Sequence, residues 1–97
     1  MISAGIPNSV RKEVYRRDHY RCAICDSAQY IQIHHAVPRS QGGNDTLHNL
    51  ITLCGVCHGV AHGVPLNDLG YLNKSDMEQR CIEYLSDEYG PDYWPFK

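Results

Sequence analysis

The chain has 97 residues, 11 acidic and 9 basic side chains, 5 cysteines and 6 histidines. A chain of this length forms one domain, here 1–97, and folding buries only roughly 60 to 65% of its surface, so a core this small calls for a staple. No stretch approaches a membrane span, and the opening MISAGIPNSV lacks the basic and apolar regions of a secretory signal. The expectation is a cytoplasmic protein with no membrane partner, in which paired C-x-x-C motifs read as a metal site before a disulfide framework.

In chain order, PNSVRKEVYRRD predicts a short helix opened by Pro7 with Asn8 or Ser9, with Val10 and Val14 as an i,i+4 apolar pair. HYRCAICDSAQ reads as a turn carrying the first cysteine pair, and YIQIHHAV as a strand. PRSQGGNDT has the composition of a surface loop, and LHNLITLCGVC returns as an extended segment ending in the second pair. Strand, loop and strand then make a hairpin with a long tip. CHGVAHG reads as a turn or two of helix stopped by Gly63 and Pro65, which puts His58 and His62 on one face. KSDMEQRCIEYLSDEYGP is the clearest helix: Ser75 and Glu78 form a capping-box pattern, Met77, Cys81, Leu85 and Tyr89 a stripe, and Gly90 with Pro91 the stop. The tail DYWPFK is expected to close a small core, with a docking surface for a protein partner as the other reading of Trp94 and Phe96.

Charge divides the chain. Through Gly63, Arg11, Lys12, Arg16, Arg17, Arg21 and Arg39 outnumber the acidic residues, and every histidine lies in that part; beyond it Lys74, Arg80 and Lys97 are outnumbered by carboxylates. The first part suits a polyanion and the second does not. Arg16, Arg17 and Arg39 are candidate phosphate contacts, with a solvated surface as the plain alternative.

Cys22-x-x-Cys25 and Cys54-x-x-Cys57 supply four soft ligands in two tight pairs, the pattern of a closed tetrahedral zinc site that holds a fold and does no chemistry. Cys81 sits on an apolar stripe and reads as a small core residue. A second site can be built from His34 at a strand end with His58 and His62, since imidazoles at i and i+4 converge on one cation. Surface histidines on a short helix are the competing reading. His34 and His35 are adjacent on a strand, so they point to opposite faces and divide the work. His34 turns to the cation, and His35 keeps a nitrogen for accepting a proton. Asn49 on the second strand could fix that imidazole or the loop beside it.

These residues resemble the HNH endonucleases. Their ββα-metal motif has a His or Asp before the catalytic His, a middle Asn and a final His or Asn, matched here by His34, His35, Asn49 and His58. The step on to His62 is similar to the three-histidine version in colicin-type nuclease toxins, and the framing VYRRDHYRCAIC…HHAVPRSQGGNDTLHNLITLCGVCH is similar to small zinc-stabilised members of phages and bacteria. The resemblance covers 9–63 as the nuclease core and leaves 64–97 as a C-terminal helical extension. It implies an α+β fold, a treble-clef-like hairpin plus helix with flanking helices. It also implies His35 as general base, Asn49 as the residue orienting it, and His34, His58 and, in the three-histidine version, His62 as ligands of a catalytic Zn2+, Ni2+, Mn2+ or Mg2+. The implied activity is nicking or cutting of duplex DNA to leave 5'-phosphate and 3'-hydroxyl ends. The rivals are a zinc-stapled adaptor module without catalysis and, more remotely, a disulfide oxidoreductase.

Overall fold

The computed structural model describes residues 6–63 and 73–97. Pro65 and the loop after it, read above as a helix stop and connection, lie outside the described residues. Five elements follow in order: α1 (Asn8–Arg17), β1 (Gln32–His35), β2 (Leu50–Leu53), α2 (Gly55–Ala61) and α3 (Lys74–Tyr89). Short 3-10 turns occupy Arg39–Gln41 and Gly90–Asp92. This is a small α+β fold, a two-stranded hairpin with helices and a four-cysteine cluster, as in the ββα-metal architecture.

Pro7 starts α1, its carbonyl accepting from the Val10 and Arg11 amides, and Arg16 and Arg17 in the last turn complement the negative end of the helix dipole. Val14 buries against Ile6 and Leu50. His19 and Tyr20, at φ 59° and 58°, then turn the chain back toward the first cysteine pair.

β1 and β2 pair antiparallel, Gln32 with Leu53, Ile33 with Thr52, His34 with Ile51 and His35 with Leu50. Directly opposed residues share a face, so one register sorts both strands. Ile51 and Leu53 join the larger core with Cys57, Val60, Met77, Cys81 and Leu85, while Leu50 packs on α1. Every residue of β2 is buried, as expected of a strand covered on both sides. The first strand is shorter than its sequence suggests because Tyr30 takes a left-handed φ of 54°, which ends the ladder on that side.

Two features tie the helices to this hairpin. Asp18, just past α1, accepts from the Thr52 amide at 2.9 Å and the Tyr84 hydroxyl at 2.7 Å, joining α1, β2 and α3. At the start of α3, Asn73 and Asp76 form the capping box, each side chain bonding the other's backbone N–H. The expected pair was Ser75 and Glu78; the helix begins one turn fraction earlier because Asn73-x-x-Asp76 fills the same pattern and seats Met77, Cys81 and Leu85 in the core. No helix among the described residues is long and apolar enough to cross a membrane.

The tail departs from expectation. Tyr93 packs against the core, but Trp94 and Phe96 are 62% and 40% exposed. Their strand-like backbone is engaged instead: Gly43 and Phe96 form a bridge, and Lys97 donates to the Gly42 carbonyl at 2.8 Å. Hydrogen bonds of the main chain turn these two rings outward.

Candidate metal centres and active site

Cys54 caps α2, and its sulfur accepts from the Cys57 amide at 3.4 Å; Cys22 accepts from the Cys25 amide at 3.5 Å in the same way. Two knuckles of one geometry thus face each other, with ligand atoms all within 4.8 Å. Cys25 and Cys54 sulfurs are 3.5 Å apart. Burial pushes the Cys25 thiol up to about 11, and the bond between Cys22 and Cys57 lowers Cys22 while raising Cys57. Four thiolates cannot share this space without a cation, and the donor set suits structural zinc. Cys81 is buried on α3, outside the cluster.

His34 projects from the face of β1 that meets α2. Its ring lies 5.2 Å from that of His58 and 5.4 Å from that of His62, and the latter two are 4.5 Å apart. The three offer ligand atoms within 4.8 Å of one another. His62 is the C-cap of α2 and is exposed, His58 is half-buried, and His34 is buried. Burial, with three neighbouring histidines, pushes the His34 imidazole down to about 3 and, with His62, also lowers His58. Such rings stay neutral, the form that ligates a metal, so the residues present fit a divalent cation with imidazole ligands.

His35 is outside this cluster. Its Nε2 lies 2.7 Å from Asp45 Oδ1, which also accepts from Arg39 Nε at 3.0 Å. Burial alone raises the Asp45 carboxyl, but His35 and Arg39 more than offset it and hold it below the usual carboxylate range. Among the described residues His35 Nδ1 carries no hydrogen bond. Sequence reading missed Asp45, and nothing in GGNDT distinguishes it from an ordinary loop aspartate.

Asn49 is fully buried and spends its side chain on backbone: Oδ1 accepts from Val37 N at 2.7 Å, and Nδ2 donates to the Val37 and Asn44 carbonyls, both at 2.9 Å. Of the two expected partners, the imidazole or the loop beside it, Asn49 bonds the loop and does not touch His35. It fixes the residue two past His35 and the residue just before Asp45, and so sets the two ends of the His35–Asp45 contact.

The arginines separate. Arg17 is corrected outright: its side chain is 10% exposed, and it donates to Asp18, the Leu47 and Leu50 carbonyls and the Tyr89 hydroxyl. All five guanidinium donors point inward, leaving none for phosphate. Arg16 is exposed beside Glu13, and Arg39 reaches Asp45.

Residues 22–63 match the family HNH endonuclease. The chain is 34% identical over 53 residues to anaredoxin from Nostoc sp., covering 54% of this chain and 70% of that protein. It is 43% identical over 37 residues to the type IV methyl-directed restriction enzyme EcoKMcrA of Escherichia coli, covering 38% of this chain but 13% of that enzyme. In structure it resembles the type IV phosphorothioation-dependent restriction endonuclease ScoMcrA, with a TM-score of 0.64 at 23% identity, over 82% of this chain and 16% of that one. With its cysteine knuckles, histidine cluster and buried Asn49 in family order, the chain belongs to the HNH endonuclease family.

Proposed function

We propose that this chain is a metal-dependent DNA endonuclease that hydrolyses phosphodiesters in duplex DNA. The observation that carries the reading is the separation of neighbours along β1: His34 joins His58 and His62 in one cluster, while His35 stays outside it, with no hydrogen bond to Nδ1 among the described residues. A divalent cation held by His34, His58 and His62 would supply Lewis-acid stabilisation of the charge that builds on the phosphate. His35 takes a proton from water as the water oxygen attacks phosphorus. The bond from phosphorus to the 3'-oxygen breaks, and that oxygen takes a proton from solvent, leaving 5'-phosphate and 3'-hydroxyl ends. Asn49 holds the loop that carries Asp45, and Arg16, exposed beside Glu13, would serve as a contact to backbone phosphate. The basic excess is confined to the part through Gly63 and is small, so cleavage should show little sequence preference.

A non-catalytic adaptor is the second reading, favoured by the exposed Trp94 and Phe96. Plasmid nicking with added Mn2+, Ni2+, Zn2+ or Mg2+ separates the two. Wild type should nick, and His35→Ala should lose at least about 100-fold in rate, the contribution of a general base, while keeping its metals. Absence of metal-dependent nicking by wild type, or equal nicking by the variant, would favour the adaptor.

A further inference from the structure

We propose that Asp45 is a positioning residue: its carboxylate accepts the Nε2–H of His35 and so leaves Nδ1 as the nitrogen that takes the proton from water. The inference rests on His35 as the base and adds which of its nitrogens does the work and what decides it. Three observations carry it.

The first is the contact itself. At 2.7 Å, between side chains 20% and 26% exposed, it is short and half-sheltered, and its partners lie ten residues apart on opposite sides of the loop. An ionised carboxylate can only accept, so the hydrogen between the two groups sits on Nε2. Neutral imidazole then has its lone pair on Nδ1.

The second is that Asp45 is held from several directions. Arg39 Nε bonds the same oxygen at 3.0 Å, which favours the ionised carboxylate. The preceding residue, Asn44, is fixed at every polar group. Its amide donates to the Pro95 carbonyl at 2.9 Å, its carbonyl accepts from Asn49, and its side chain bonds Thr46, Trp94 and Phe96. A contact meant only to close the loop would be redundant here, because Asn49 and the tail already close it.

The third is the neighbour on the strand. His34 occupies the opposite face, among the metal-ligating imidazoles, and so offers His35 no orienting bond. The orientation of His35 has to come from across the loop, and Asp45 is the group that supplies it.

During hydrolysis the proton passes from water to Nδ1 as the oxygen–phosphorus bond forms, and Nε2–H stays with Asp45, whose negative charge stabilises the imidazolium. Asp45 never takes the proton. This is the work of a carboxylate behind a histidine base, which sets tautomer and ring angle.

The zinc-loaded protein tests this in two ways. Nitrogen-15 chemical shifts of the His35 ring in wild type should report the Nε2–H tautomer; the Nδ1–H tautomer would overturn the proposal without any activity being measured. In nicking assays Asp45→Ala should lower kcat by about 10- to 100-fold, on the scale of losses when the partner behind a metal-bound histidine is removed, with KM and bound metal unchanged and partial rescue by Asp45→Glu. If His35→Ala is inactive while Asp45→Ala keeps full kcat, Asp45 has no positioning role and the base assignment survives. If His35→Ala nicks as well as wild type, the base assignment itself falls and this proposal with it.

Discussion

Gly43 shows how tightly the loop is drawn over the site. A Cβ at this position would overlap the Val37 carbonyl oxygen and lie 2.7 Å from Asn49 Nδ2, the donor that fixes the loop. Gly42 is needed for a different reason, its φ of 90°. Gly43→Ala should therefore cost about 1–3 kcal/mol of stability, as overpacking against a fixed backbone does, and should lower nicking because Asn49 is displaced. A urea midpoint unchanged from wild type would show that the loop has slack. Single residues were legible in the sequence where their chemistry is rare. His58 and His62 group by their i,i+4 spacing and His34 joins them through the expected hairpin, while the four cysteines group by their paired spacing. Residues with common alternatives were not: Arg17 looked like a surface cation, yet Asp18 beside it is buried and draws the guanidinium inward. For Asn49 the sequence leaves both the imidazole and the loop open, and the choice of the loop depends on how Val37 and Asn44 are placed.

Among the elements, α2 carries the most. Within seven residues and its caps it supplies Cys54 and Cys57 to one cluster and His58 and His62 to the other, while Val60 and Ala61 pack into the core. Its length is well below what a helix needs to stand alone, so its stability must come from packing and from the cysteine site. Cys54→Ser removes a ligand while its hydroxyl can still accept from the Cys57 amide and cap α2, so the variant reads the loss of the cysteine site alone. Because binding of structural zinc is folding free energy, worth about 10–16 kcal/mol in small zinc domains, this variant should lose its zinc and its cooperative thermal transition. A cooperative melt without zinc would mean that the cluster is not a staple. Element existence was readable from period and punctuation, but boundaries were not. Two overlapping caps, Asn73 with Asp76 and Ser75 with Glu78, satisfy the same rule, and tertiary packing of Met77 chose the first. β1 stopped short for a similar reason, a left-handed Tyr30 that sequence gives no cause to expect.

For the molecule as a whole, the family segment 22–63 contains both ligand clusters, His35 and Asp45, yet it is completed from outside. α1 lends Arg17, α3 lends Tyr84 and Tyr89, and the tail clamps Asn44, the residue before Asp45. The fold class was visible early because hairpin, cysteine knuckles and helix follow one another in order. The exposure of Trp94 and Phe96 was not, since an aromatic tail reads the same whether its rings or its backbone are engaged. The central claim is that adjacent imidazoles on one strand do different jobs. Anomalous diffraction from a Mn2+-soaked crystal of the complex with an uncleavable DNA duplex tests it most directly. The account predicts manganese bound by nitrogens of His34 and His58, with His35 Nδ1 turned to the phosphate and making no bond to the ion. Manganese ligated by both His34 and His35, or no phosphate within reach of His35, would contradict it.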